Sequence, residues 1–361
     1  MNQLENILTL HARRYPAMEA ADYIKLLYQS EFGPGHMVAE GDALACLQTE
    51  FARAEEEGYA PAYTVEAIGG GLCRFHLDPR TVTRADLPLL ARCFSLSAKE
   101  RGTMTGLWQK LGFLTALSWS GGIPQDVTTL EKTLAEYAAE GCPALHHSEG
   151  YREAFHPHYR VIDRDLSIYG PALKAIDTAL RENEGPIIAA VDGRCASGKS
   201  TFAARCAQLF DCNVFHMDDF FLPPELRTPE RLAAPGGNVH YERAAEEIFA
   251  PVSRGDGARY AAFDCHTFTM GETQTAPRKR LNIVEGSYAL HPALAGYSRL
   301  HIFLTCSPEV QLSRLARRES PESLERFKER WIPMEEAYFS GLAIESQCDV
   351  VVDTSHLPTN V

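Results

Sequence analysis

Apolar residues recur at helical spacing through most of the first 160 positions, and then the rhythm changes. Across residues 18–32, Tyr23, Ile24, Leu27 and Tyr28 share one helical face before Gly33-Pro34-Gly35 stops the run. Residues 42–57 form an amphipathic stretch ending before Gly58, and 85–99, 105–119 and 128–139 continue the helical pattern. Residues 64–77 are the exception: short β-rich pieces flank Gly69-Gly70-Gly71, which reads as a hairpin turn or a loop. A helix is predicted over 165–184, joining the halves, with a break or bend at Gly170-Pro171.

Beyond it, short apolar runs at 186–191, 213–216, 281–284, 300–304 and 350–352 alternate with helical stretches, the first of them at 200–210. Buried strands alternating with helices predict an α/β fold with a parallel sheet. The expected organisation is a mainly α-helical domain over 1–160, a linker helix over 161–184 and an α/β domain over 185–361.

Composition narrows the function classes. The 361 residues include 35 basic and 48 acidic side chains, a net charge of -13, which argues against a broad basic surface for nucleic acid or anionic lipid. No apolar run approaches the roughly 20 residues that span a bilayer. The ten cysteines form no CxxC pair, and the N-terminal residues lack the pattern of a signal peptide. The expectation is a cytoplasmic protein in a reducing compartment with a small-molecule partner, homo-oligomerisation being left open.

The strongest chemical signal is GRCASGKST at 193–201, which matches G-x-x-x-x-G-K-[ST] between a predicted strand and a predicted helix. Gly193 and Gly198 let the backbone fold around phosphates, with Ala196, Ser197 and Thr201 completing the cradle. Lys199 would neutralise the β- and γ-phosphates of ATP, and the Ser200 hydroxyl would ligate Mg²⁺. A second strand runs into Asp218 and Asp219. A carboxylate at such a strand end can face the γ-phosphate and accept a proton from an attacking hydroxyl. A third strand ends at Glu285, placed to hold Mg²⁺ directly or through water. Ser307-Pro308 then opens a helix carrying Arg314, Arg317 and Arg318, read as a lid that brings positive charge over the transferred group.

These segments together resemble the uridine kinase and nicotinamide riboside kinase group of P-loop kinases. The matching pieces are GRCASGKST (193–201), HMDDFFLP (216–223), VEGSYAL (284–290), SRLARRES (313–320) and RWIPMEEAYF (330–339), with the closing strand over 349–353. The resemblance implies a P-loop NTPase sheet, Asp218 as the base, Ser200 and Glu285 as the Mg²⁺ shell, and the arginines at 314–318 as the lid. In the riboside kinases a Tyr-Asp pair contacts the ribose. Tyr241 and Glu242 are the nearest match here, the acid one methylene longer. Asp219 and Arg231 complete the expected acceptor site, and Arg227 and Arg243 crowd the same region.

The leading reading is an ATP- and Mg²⁺-dependent kinase for a hydroxyl of a small metabolite, with a nucleoside or ribosyl compound first. The alternatives are a pantothenate-like or polyol acceptor, and a nucleotide-dependent switch whose helical half binds a partner. The N-terminal half offers three unassigned features. Residues 29–36 (QSEFGPGH) read as a helix C-terminal turn ahead of a ligand loop. His146, His147, His156 and His158 lack metal-ligand spacing. The glycine run at 69–71 lacks the helix a phosphate loop needs.

Overall fold

The computed structural model describes residues 3–35, 43–265 and 267–357, so Asp42 and His36 of the sequence reading lie outside the described residues. The chain divides into two compact units near residue 167.

The N-terminal unit is mainly helical, as expected, but its helices cover a small sheet. In chain order it contains α1 (Gln3–Arg14), α2 (Ala20–Phe32), α3 (Ala43–Glu56), β1 (Val65–Gly69), β2 (Leu72–His76), α4 (Leu87–Ser97), α5 (Met104–Trp119), α6 (Val127–Ala139), α7 (Glu149–Phe155), β3 (Tyr159–Asp163) and α8 (Arg164–Ile168). The stretch at 64–77 is the hairpin β1–β2, and β3 extends it to an antiparallel sheet in the order β1-β2-β3. Helices α1 and α2 pack on β1, and α4 packs on β3. The glycine run is required by close approach. Gly70 has φ of 60°, and a Cβ there would stand 2.1 Å from the Ser30 carbonyl oxygen at the end of α2. Gly33, at φ of 65°, ends that helix and donates to the Gln29 carbonyl, so the start of the QSEFGPGH stretch is a helix terminus.

The predicted linker helix over 161–184 divides instead. Residues 161–163 belong to β3, and Gly170-Pro171 starts the new helix α9 (Gly170–Glu182), with proline where no N–H is needed. Its apolar stripe of Ala172, Leu173 and Ile176 is buried, and the helix packs on strands of the second unit.

That unit continues with β4 (Ile187–Gly193), α10 (Lys199–Leu209), β5 (Cys212–His216), the short helices α11 (Pro229–Ala233), α12 (Tyr241–Ala244) and α13 (Ala250–Ser253), and the hairpin β6 (Ala258–Asp264) with β7 (Thr269–Ala276). Then follow β8 (Leu281–Glu285), α14 (Pro292–Ala295), β9 (Leu300–Thr305), α15 (Pro308–Arg318), α16 (Pro321–Arg326), α17 (Ile332–Gly341) and β10 (Val350–Asp353). Every predicted apolar run is a strand of one parallel sheet in the order β10-β9-β4-β8-β5. β4 is buried along its length, which explains its continuous apolar sequence. Ile188 and Ala190 face a cluster with Phe215, Phe249, Val252, Phe303 and Tyr338. Full burial of a side chain such as Ile188 or Phe215 stabilises the fold by about 1.5–3 kcal/mol.

The hairpin β6–β7 was not expected. Seven of the eight residues of β7 are exposed, so no apolar alternation marks it in the sequence. Among the described residues, no helix is long and apolar enough to cross a membrane. The ten cysteines are all free thiols.

Candidate active site

The sheet order decides the site. β4, β8 and β5 are neighbours in parallel, so their C-terminal ends emerge together, where open α/β sheets bind ligands. Register pairs Val191 with Glu285 and Glu285 with His216. The phosphate loop, Glu285 and the Asp218-Asp219 turn therefore arise from three adjacent strands.

Gly193 leaves β4 at φ of 135°, where a Cβ would stand 2.0 Å from the Leu304 carbonyl oxygen. Gly198 caps α10 at φ of 92°. We expect Gly193→Ala to cost about 3 kcal/mol or more of stability, through left-handed strain and the clash together. Thermal unfolding of the variant checks this, and an unchanged midpoint contradicts it.

Lys199 begins α10 and arches across the loop, donating to the carbonyls of Gly193 (2.7 Å) and Arg194 (3.0 Å). Ser200 donates to Glu285 Oε1 at 3.0 Å, and His216 Nδ1 lies 2.6 Å from the same oxygen. The hydrogen bond to Glu285 raises the His216 pKa. Asp218 and Asp219 lie in a tight turn after β5. Asp218 keeps solvent access, while the surrounding protein, and next the Glu285 charge, raise its pKa. Burial likewise raises Asp219.

The residues fit a bound nucleotide and its metal. The loop closes on the N-terminus of α10, Lys199 lies within reach of the loop's concave face, and the buried Ser197 hydroxyl has no hydrogen-bond partner among the described residues. The Ser200–Glu285 pair offers two oxygens of the kind Mg²⁺ takes. Ala196 holds φ of 57° inside the loop, and Thr201 follows in the first turn of α10.

Three expectations meet a different arrangement. The arginines of α15 do not act as one group. Arg314 is stapled to the loop carbonyl of Ala196 (3.1 Å) and the Thr354 carbonyl (2.6 Å), whereas Arg317 and Arg318 are exposed and Arg318 pairs with Glu319. Arg231, expected to meet an acceptor's negative charge, is engaged within its own loop. Its guanidinium forks onto Glu242 (2.7 and 2.9 Å), donates to Gly237 and Val239 carbonyls and covers the Tyr241 ring. The Tyr241 ring is likewise engaged, with His291 stacked on it at 4.0 Å. Arg243 likewise holds the Asp219 carbonyl, fixing the turn that carries Asp218.

Sequence reasoning missed the residues that hold the loop from behind. Asp192 is fully buried and accepts from the backbone of Gly193, Tyr288 and Leu290 and from the Tyr338 hydroxyl. Glu335 accepts from the Cys195 N–H (2.9 Å) and the Ser287 hydroxyl (2.5 Å). Gln311 donates to the Cys195 carbonyl. The RWIPMEEAYF segment signalled Glu335 and Tyr338, but only the fold shows that α17 clamps the phosphate loop to the loop after β8.

This sheet order, phosphate loop and flanking helices define a P-loop NTPase fold. No family model matches the chain, and no curated protein matches it in sequence. Among solved structures, a protein described as a possible uridine kinase from Bacillus stearothermophilus is similar at 18% identity and TM-score 0.38, over 51% of this chain and 100% of its own. One described as a "putative fructose transport system kinase" from Silicibacter sp. TM1040 is similar at 19% identity and TM-score 0.40, over 51% of this chain and 98% of its own.

Proposed function

We propose that the C-terminal unit is a kinase that uses ATP and Mg²⁺ to phosphorylate a hydroxyl of a small metabolite, with a nucleoside or ribosyl compound as the first acceptor class. The observation that carries this reading is the convergence of Lys199, the Ser200–Glu285 pair and Asp218 at the ends of three adjacent strands. A nucleotide switch needs the phosphate loop and its metal ligands, but not a solvent-accessible carboxylate of raised pKa beside them.

Bound ATP would supply the phosphoryl group, and Mg²⁺ held by Ser200 and Glu285 would offset its charge. Lys199 exchanges its carbonyl partners for phosphate oxygens. Asp218 takes the proton from the acceptor hydroxyl and orients its oxygen. Arg314 and Glu335 hold the loop backbone still while Arg317 and Arg318 supply lid charge, so catalysis rests on positioning and electrostatics. Tyr241 and Glu242, fixed by Arg231, and the neighbouring Asp219 form the acceptor wall. A wall whose arginine is already neutralised favours an uncharged acceptor. The free thiols support a reducing, cytoplasmic setting.

The deprotonated Asp218 is the active form, so kcat/KM rises with pH and is lost as pH falls through the Asp218 pKa. Because the surrounding protein and the Glu285 charge raise that pKa, the acid limb is expected above the ordinary aspartate value of about 4. A pH–rate profile checks this, and a limb at or below that value contradicts it.

The test of the reading is ADP release with ATP and Mg²⁺ across nucleosides, ribosides, pantothenate and sugar acids. Stimulation by the ribosyl compounds is the expected result. ADP release indifferent to every acceptor points to a nucleotide switch.

A further inference from the structure

The N-terminal unit contains a polar layer where a small domain would ordinarily bury hydrocarbon. Glu66 and Arg74 are cross-strand partners in β1 and β2, and His76 follows on the same face of β2. α1 and α2 cover that face, leaving Glu66, Arg74 and His76 at 1%, 0% and 3% exposure. Lys25 of α2 is also buried.

The charges in this layer do not balance pairwise. Glu66 is consumed by Arg14 (3.0 Å), His76 (2.8 Å) and the Tyr15 hydroxyl (2.5 Å). Asp22 is consumed by His147 (2.6 Å) and Ser148. Two cations touch only neutral groups, Arg74 also lying over the Tyr159 ring at 4.6 Å. Arg74 gives Nε and Nη2 to the Gln29 amide oxygen, and Lys25 gives Nζ to the Leu145 carbonyl. Among the described residues, no carboxylate contacts either one. The Glu66 and Asp22 charges favour the charged forms of Arg74 and Lys25 from beyond contact distance, but burying a cation with no carboxylate touching it is costly, and apolar packing in its place would be the more stable solution.

Two orphan atoms sharpen this. Arg74 Nη1 and His11 Nδ1, on side chains that are both 0% exposed, have no hydrogen-bond partner among the described residues. His11 Nε2 contacts the Ala67 carbonyl, so Nε2 carries the proton and Nδ1 is an acceptor. Burial, followed by the Arg74 charge, lowers the His11 pKa to about 4, which keeps that neutral tautomer at pH 7. The layer thus presents surplus positive charge, an unused N–H donor and an unused acceptor.

We propose that this layer is a second ligand site, for a small oxyanion that also carries an O–H or N–H group: a phosphate monoester or a hydroxycarboxylate. Arg74 and Lys25 meet the negative oxygens, and His11 Nδ1 accepts from the ligand's donor. The Arg14 guanidinium, stacked over the exposed Tyr63 ring, forms the solvent edge of the layer. The three sequence features that the kinase reading left unassigned meet here. Gln29 opens the QSEFGPGH stretch and holds Arg74, the glycine turn seats the end of α2 against β1–β2, and His147 orders Asp22.

The test titrates the full chain with inorganic phosphate in one arm and glycolate in the other, following thermal stability and calorimetric heat. Lys199→Ala silences the phosphate loop in every sample, so the result stands apart from the kinase reading. Saturable binding in either arm, weakened about tenfold or more by Arg74→Gln and by Lys25→Met, is the expected result, and the preferred arm names the anionic group. Lys25→Met leaves Arg74 and its Gln29 contact in place, so it carries the test if Arg74→Gln fails to fold. No saturable response up to about 10 mM in both arms, the behaviour of a layer holding only water, overturns the proposal. So does a folded Lys25→Met chain that binds as the parent does.

Discussion

Asp218→Asn is expected to lower phosphoryl transfer about 10³-fold while leaving ATP affinity within a few-fold of the parent. The substitution keeps the size of the side chain and its place in the turn after β5, but removes the carboxylate proposed to take the acceptor's proton. The turn itself is held by Arg243 on the Asp219 carbonyl, a contact the substitution does not touch. Transfer rate and nucleotide affinity measured on the same preparation separate the two effects. A variant with near-normal turnover shows that another group is the base.

Lys199→Ala is expected to act on both quantities together. Its ammonium group is a positive charge held within the phosphate loop, so ATP affinity should fall about tenfold or more and transfer about 10²–10³-fold. The same change also leaves the Gly193 and Arg194 carbonyls without this donor, so unfolding must be measured alongside. Unchanged affinity and rate in a folded variant contradict the phosphate-loop role.

The parts of this protein that were legible in its sequence are the local ones. GRCASGKST is contiguous, and each of its residues acts within a few positions of the others. The strands of the parallel sheet are short apolar runs because both faces are covered. Where function depends on distant partners, the sequence is silent. Glu335 and Asp192 shape the loop through contacts that only the folded sheet creates. Arg231 looked available for a ligand because its bond to Glu242 closes eleven residues away. The layer around Arg74 was invisible for another reason. Alternation along Leu72-Cys73-Arg74-Phe75-His76 assigns arginine and histidine to a solvent face, and here α1 and α2 cover that face. β3 escaped because five residues beside a predicted boundary give too little periodicity to read.

In the proposed reaction a phosphoryl group moves from ATP to a hydroxyl oxygen at the ends of β4, β8 and β5. The most direct measurement uses ATP labelled with heavy oxygen in its γ-phosphate, the acceptor that most stimulates ADP release, and mass spectrometry of the products. The expected product is a phosphorylated acceptor that carries the labelled phosphoryl oxygens, formed by the parent chain and not by Asp218→Asn. Labelled inorganic phosphate with an unchanged acceptor, formed equally by both chains, would contradict it.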